Sequence, residues 1–230
     1  MKKFLYETHV HTSETSPCGK ATAEDTVLFY KEKGFTGIIM TDHLKCAENE
    51  SLSKEEWKKV VDEFTLGYRL AYEVGEKVGL QVFFAWEYTV LPFGGTDFLT
   101  YGLDMDWLYE HNEIAGMSIG DYCDYVREAG AFVSHAHPYR EAHYIKMIRL
   151  LPRKVDAAEV YNANRKDFEN ERADDFANVY DLIKTAGTDN HMGSKQVKLG
   201  GMAFDEKLKD INHFVEKVRA QEFENFKMEV

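Results

Sequence analysis

Along the chain, short runs of aliphatic, β-branched and aromatic residues alternate with longer stretches of helical periodicity. The runs are KFLYETHVH (3–11), TGIIMTDH (36–43), QVFFAWEYTV (81–90), DFLTYGL (97–103), AFVSHAHP (131–138), DAAEVYNAN (156–164), IKTAGTDNH (183–191) and a weaker LGGMAFD (199–205). Each passes into polar residues at its end, as a strand does where it leaves a sheet. Between them, residues 22–34 set Val27, Leu28, Phe29 and Tyr30 behind Thr22 as an N-cap, with Asp25 three residues on and Gly34 as the stop. Residues 53–78 read as one long helix opened by Ser53 with Glu56 three later. Further helices are expected over 118–129, 167–183 and 205–222. The stretch LKCAENESLSKEEW (44–57) is polar and long for a connection, which predicts either a loop or lid beside a site or a solvated approach to the next helix. FGGTD (93–97) reads as a turn. Strands alternating with helices call for parallel pairing and the α/β class, and seven or eight such units without a divider favour one closed barrel in a single domain, 1–230.

Composition narrows the function classes. The 44% hydrophobic content is ample for a packed core in 230 residues, so disorder is excluded. A net charge of −12 disfavours nucleic acid as a ligand, because non-specific binding there comes from neutralising phosphates with Lys and Arg. A metal cluster can still supply local positive charge to a small phosphorylated ligand. The apolar run after MKK is too short for a signal peptide or membrane span. Three cysteines without a CxxC fit a reducing, cytoplasmic setting. Nothing in the pattern sets an oligomeric state.

The chemistry lies in the histidines. Of nine, His9, His11, His43, His135, His137 and His191 stand at or just after the C-terminal end of an expected strand; His111, His143 and His213 do not and are taken as structural or surface residues. In a βα barrel those strand ends surround one mouth, so residues distant in sequence would converge. His9 and His11, at i and i+2 of a strand, share a face and can point at one ion. Taken alone, such a pair is more often two half-exposed histidines on an edge strand. Glu87, at a strand end under Phe83, Phe84 and Trp86, would be costly to bury without a compensating ion, and Asp189 joins His191 in GTDNH. Glu159 and Asn162 could bind substrate or support a ligand from behind, or form a solvated turn. Arg140, directly after HAHPY, could bracket a phosphate, or pair with a surface acid. Cys18 is either a thiolate ligand or a small buried apolar residue.

The order HxH, TDH, an isolated strand-end Glu, HP and DxH resembles the PHP family, named for polymerase and histidinol phosphatase, over almost the whole chain. The resemblance implies a distorted (β/α)7 TIM-like barrel, up to three divalent ions at the mouth, and phosphoesterase activity. It implies His9, His11, Glu87 and Asp189 on one ion, Glu87 and His137 on a second with Glu87 bridging, and His43 and His191 on a third. Two departures stand out. Where many members carry a further His or Asp after HxH, this chain reads TSETSPCG, leaving Cys18, Glu14 or no residue; where many carry a His after the glutamate strand, Asp97 is the substitute. Glu7 stands where the family often has Asp and would orient a ligand histidine.

Nitrogen and carboxylate ligands together suit Mn, Zn or Fe better than Mg or Ca. The expected activity is hydrolysis of a small-molecule phosphate monoester by a metal-bound hydroxide, with Arg140 clamping the phosphate and Asp189 or His191 relaying protons. Alternatives are a nuclease acting on phosphodiesters and a non-catalytic metal-binding regulatory module.

Overall fold

A computed structural model describes residues 3–91 and 94–230; of the turn expected over 93–97, Phe93 lies outside the described residues. The elements are β1 (Phe4–Val10), α1 (Ala23–Glu32), β2 (Gly37–Met40), β3 (His43–Ala47), α2 (Lys54–Phe64), α3 (Leu66–Val78), β4 (Gln81–Leu91), β5 (Asp97–Tyr101), α4 (Met105–Glu110), α5 (Ile119–Glu128), β6 (Phe132–Ala136), β7 (Ala157–Asn162), α6 (Asp167–Tyr180), β8 (Ile183–Gly187), β9 (Lys198–Phe204), α7 (Ile211–Arg219) and β10 (Glu224–Glu229). Thr22 caps α1 through Asp25 N, and Ser53 and Glu56 form a reciprocal capping box on α2, both at the expected residues.

The strands form one sheet in the order β10-β9-β1-β2-β4-β5-β6-β7-β8, with β3 pairing the outer half of β4. The sheet curls until the β8 end reaches β1. Just beyond β8, Asn190 bridges to β1: His11 N donates to Asn190 O at 3.0 Å and Asn190 N to His9 O at 3.1 Å. The result is a distorted, nearly closed α/β barrel.

Wholly parallel pairing is not what forms. β5 runs antiparallel to both β4 and β6, and β9 runs antiparallel to β1 and β10. The physical reason is the connection: the chain passes from β4 to β5 in far fewer residues than a parallel crossover needs. Reversal of β5 has a consequence for chemistry, since the start of this strand, Asp97, lies at the mouth where the other strands end.

Two further expectations change. Residues 44–47 of the stretch expected as a loop, lid or approach to the next helix belong to β3, whose Leu44 and Cys46 are buried while Lys45 is exposed; β4 outruns β2, and β3 supplies hydrogen bonds to the overhang. The single helix over 53–78 is two, broken at Thr65. The barrel floor is filled by Tyr6, Leu99, Tyr101, Phe132, Met202, Phe204 and Phe214, so the interior is a packed core beneath the mouth. Among the described residues, no helix is long and apolar enough to cross a membrane.

Candidate metal centre

A bulge in β1 aims the first histidines. Register to β2 slips between Glu7 and Val10, so that Tyr6 faces the barrel floor and His9 and His11 face the mouth. The N–H groups of Thr8 and His9 turn to Glu7 Oε1, at 3.0 and 2.9 Å. Glu7 also accepts from Thr188 N and Tyr30 OH, and burial pushes its carboxyl up to about 7 against these hydrogen bonds. It therefore fixes backbone and touches no histidine ring, contrary to its expected role. The ring-orienting carboxylate is Glu159 on β7: its Oε1 lies 2.8 Å from His9 Nδ1, while Oε2 accepts from His137 N and Asn162 Nδ2. That bond fixes the His9 tautomer and leaves Nε2 free toward the mouth.

Glu87 lies at the centre with each oxygen toward a different side. Oε1 is 3.5 Å from His9 Nε2 and 3.1 Å from His137 Nε2, whereas Oε2 is 3.3 Å from His11 Nε2 and 2.9 Å from His43 Nδ1. Asp189 Oδ1 is 3.5 Å from His9 Nε2, 3.3 Å from His11 Nε2 and 3.2 Å from His191 Nδ1. Three sets gather their donor atoms within 4.8 Å: His9–Glu87–His137, His9–His11–Asp189 and His11–His43–His191. Asp97 stands at the rim of the first, with Oδ2 4.0 Å from His137 Nε2.

Elementary accounting says what this arrangement lacks. His9 Nε2, His11 Nε2, His137 Nε2, both oxygens of Glu87, Asp97 Oδ1 and Asp189 Oδ1 are buried without a hydrogen-bond partner. Orphaned donors and acceptors of this number, facing one space, are unfavourable unless a cation engages them. The residues therefore fit divalent metal. Electrostatics agree: burial would raise Glu87 and Asp189, yet the facing imidazoles hold both well below the usual carboxylate range. Two of these residues sit at strained backbone, His137 at φ 30° and Asp189 at φ 58°, conformations that persist only where surroundings enforce them.

The bend at His137 corrects the second HxH. β6 ends at Ala136, so the i, i+2 rule no longer holds, and His135 points the other way. Its ring stacks on Phe98 at 4.9 Å and meets Phe176 of α6 edge-on, in the layer outside the barrel. Burial lowers its pKa to about 3, keeping it neutral, and it joins none of the clusters. The other five expected histidines converge. His111 stacks on Trp107, His143 is exposed beside Tyr144, and His213 accepts from Lys209 N, all apart from the mouth.

Asp42 escaped the sequence reading. It accepts from Thr12 N, Thr12 Oγ1 and Ser16 Oγ, each at 2.7 Å, and Ser16 Oγ in turn receives His43 N at 3.1 Å. The carboxylate before His43 thus ties loop 12–19 to the β2 end. The available signal was a hydroxyl-rich TSETS segment together with an Asp at a strand end. Loop 12–19 carries Cys18, exposed, with Sγ 3.2 Å from His191 Nε2. Burial would raise this thiol, but hydrogen bonds to His191 and His43 bring it down to about 6.

No family model matches the sequence, and no curated protein does. Solved structures do match. A two-domain protein from Bacteroides vulgatus containing a predicted PHP-like metal-dependent phosphoesterase superposes with TM-score 0.71 at 15% identity; the match covers 98% of this chain and 65% of that one. The fold is similar to that of this PHP-like protein. A candidate metal-dependent phosphoesterase from Bifidobacterium adolescentis aligns at TM-score 0.55 and 16% identity, over 92% of this chain and 94% of that chain. An amidohydrolase from Chromobacterium violaceum, solved with sulfate and no metal, aligns at 0.59 and 14%, over 97% of each chain.

Two features flank the centre of the barrel. The turn after His137, in which Arg140 N donates to His137 O at 2.9 Å, folds Arg140 back toward the mouth. Its Nε is buried without a partner, and Asp189, Glu87 and Asp97 help stabilise its charge against burial. Beside His43, a cavity of about 480 Å³ is walled by Thr15, Lys45, Val60, Phe64 and Leu66.

Proposed function

We propose that this chain is a metal-dependent phosphoesterase that hydrolyses a small-molecule phosphate monoester. The observation that carries the reading is Glu87: a fully buried carboxylate whose two oxygens, both without hydrogen-bond partners, face different histidine sets. A bridging carboxylate holds two ions close together, the arrangement suited to in-line displacement at phosphorus. His9, His11, Glu87 and Asp189 would hold one ion, and Glu87 and His137, with Asp97 nearby, a second. Bound there, divalent ions supply Lewis-acid stabilisation of phosphoryl charge and acidify a water; the donor set suits Mn, Zn or Fe.

The chain's own groups do the rest. Arg140 has an unpartnered guanidinium Nε beside the mouth, and its fork would match phosphoryl oxygens. Glu159 and Asn162 keep the His9 ring fixed, so no reorganisation is needed as charge develops. Asp189, held at the rim against His191 Nδ1, would relay a proton to the leaving oxygen. The cavity beside His43, with Val60, Phe64 and Leu66 on its wall and Lys45 at its edge, would take the organic part of the substrate. Its modest size and the net charge of −12 favour a small ester over an oligonucleotide. Three free cysteines support the cytoplasmic setting.

Likeness to the Chromobacterium violaceum amidohydrolase favours a second reading, hydrolysis of a C–N bond at the same centre. Arg140 favours phosphate. The test is direct: chelated protein is assayed on panels of phosphate esters and amides, then reconstituted with Mn, Zn or Fe. Phosphate release only after reconstitution, and abolished in Glu87→Ala together with a lower bound-metal count, is expected. Turnover that survives complete chelation, or a panel cleaved only at amides, would overturn it. Bound metal with no turnover on either panel would make the chain a non-catalytic module.

A further inference from the structure

Loop 12–19 is folded tightly on itself. Ser16 N donates to Thr12 O at 2.9 Å, Gly19 N to Ser16 O at 2.8 Å, and Lys20 N to His191 O at 2.6 Å. A Cβ at position 19 would fall 2.6 Å from Thr12 O, so only glycine admits this closure. The loop and the segment after β8 are thereby stitched together, with Cys18 Sγ 3.2 Å from His191 Nε2.

What faces the thiol is a layered set of imidazoles. The His191 ring stacks on His11 at 4.2 Å and His11 stacks on His43 at 4.5 Å. The Nδ1 atoms of the outer two rings are engaged, that of His43 by Thr89 Oγ1 and that of His191 by Asp189 O. Each ring therefore has Nε2 left for a ligand. Independently, ring nitrogens of His11, His43 and His191 gather within 4.8 Å of one another, and His11 Nε2, fully buried without a hydrogen-bond partner, stands at the seam between this corner and the first ion's set. A tetrahedral zinc with sulfur at about 2.3 Å and nitrogen at about 2.0 Å separates those two donors by roughly 3.5 Å, close to the distance found here.

We propose that Cys18 joins His43 and His191 as a thiolate ligand, with the His11 ring stacked between them, creating a mixed sulfur–nitrogen site for a borderline or soft divalent ion such as Zn or Fe(II). The inference rests on the reading that the mouth binds metal. Binding forms a metal–sulfur bond and releases the thiol proton to solvent. The other two corners offer nitrogen and oxygen only, so this one would discriminate against Mg and Mn while they need not.

Cobalt(II) is the probe, because a thiolate ligand gives it an intense near-ultraviolet charge-transfer band that nitrogen and oxygen ligands do not. Chelated protein titrated with cobalt(II) should show the band. Cys18→Ser should lose it along with at least a tenfold loss of affinity at one site, while Cys46→Ala and Cys123→Ala, altered in the buried core, should keep it. Because Cys18 is exposed on its loop, the serine variant should melt as wild type does when both are metal-free. No band at saturating cobalt, or a band that persists in Cys18→Ser, would overturn the assignment. The spectrum is read without substrate, so loss of the thiolate ligand and failure of the hydrolase reading are separate results.

Discussion

Single residues at the mouth act mostly by fixing other residues. Glu159 shows why a carboxylate is required: it accepts from His9 Nδ1, His137 N and Asn162 Nδ2 at once, and only a group without protons of its own can do so. Glutamine in its place would set its amide N–H groups against one of those donors. Glu159→Gln is therefore expected to weaken zinc binding by about 10- to 100-fold, measured by calorimetric titration of the metal-free protein. Unchanged affinity would mean that His9 is positioned by something else. His135 makes the opposite case, a histidine held neutral in an apolar layer. Its folded pKa of about 3 lies below the unfolded value near 6.5, so below pH 6.5 the unfolded chain takes up a proton that the native state refuses. Stability from this residue is complete above pH 6.5 and falls by about 1.4 kcal/mol for each unit between 6.5 and 3. His135→Phe should flatten that part of the profile of urea midpoint against pH relative to wild type; parallel profiles would contradict the burial argument.

At the scale of elements, the break between α2 and α3 connects the helical layer to the site. Thr15 inserts its hydroxyl into the helix ladder, donating to Phe64 O at 3.0 Å and accepting from Gly67 N at 2.9 Å, while Thr65 Oγ1 back-bonds to Val61 O. Inserted hydroxyls of this kind bend helices. Gly67 makes the approach possible, since a Cβ there would lie 2.1 Å from Thr12 Oγ1. Thr15→Val keeps the shape and removes both bonds, leaving Phe64 O and Gly67 N unpaired; a loss of about 1–3 kcal/mol in denaturant unfolding is expected, with faster amide exchange at Gly67. Periodicity could not announce this break, because the apolar stripe continues through it and the wedge comes from fifty residues upstream. Capping boxes and strand-end histidines were legible because their causes are local. β10 was missed for the reverse reason: ENFKME is an exposed, charge-bearing edge strand whose pairing is dictated by β9. The turn at His137 and the reversal of β5 likewise depend on neighbours, and so did the fates of His135 and Asp97.

For the molecule as a whole, the centre is where the barrel closes. Its donors come from β1, β3, β4, the end of β6 and the segment beyond β8, and the last of these is tied back to β1 by the Asn190 bridge and by the hydrogen bond from Thr188 N to Glu7. Without metal, the buried carboxylates are compensated by protons: His9 and His43 are raised well above their ordinary range, facing carboxylates outweighing burial. A cation replaces those protons with stronger, directed bonds available only to the folded state, because the unfolded chain scatters the ligands over its length. At a free metal concentration 100 times Kd, one ion adds about 2.7 kcal/mol. For a chain of this size that corresponds to a rise of roughly 5–10 °C in Tm. Calorimetry of chelated and zinc-reloaded protein should show this shift, larger at pH 8 than at pH 6 because fewer protons compete for the ligands. If the two forms melt together at both pH values, the imidazoles and carboxylates at the mouth are a proton-bridged cluster, and the barrel closes without a cation.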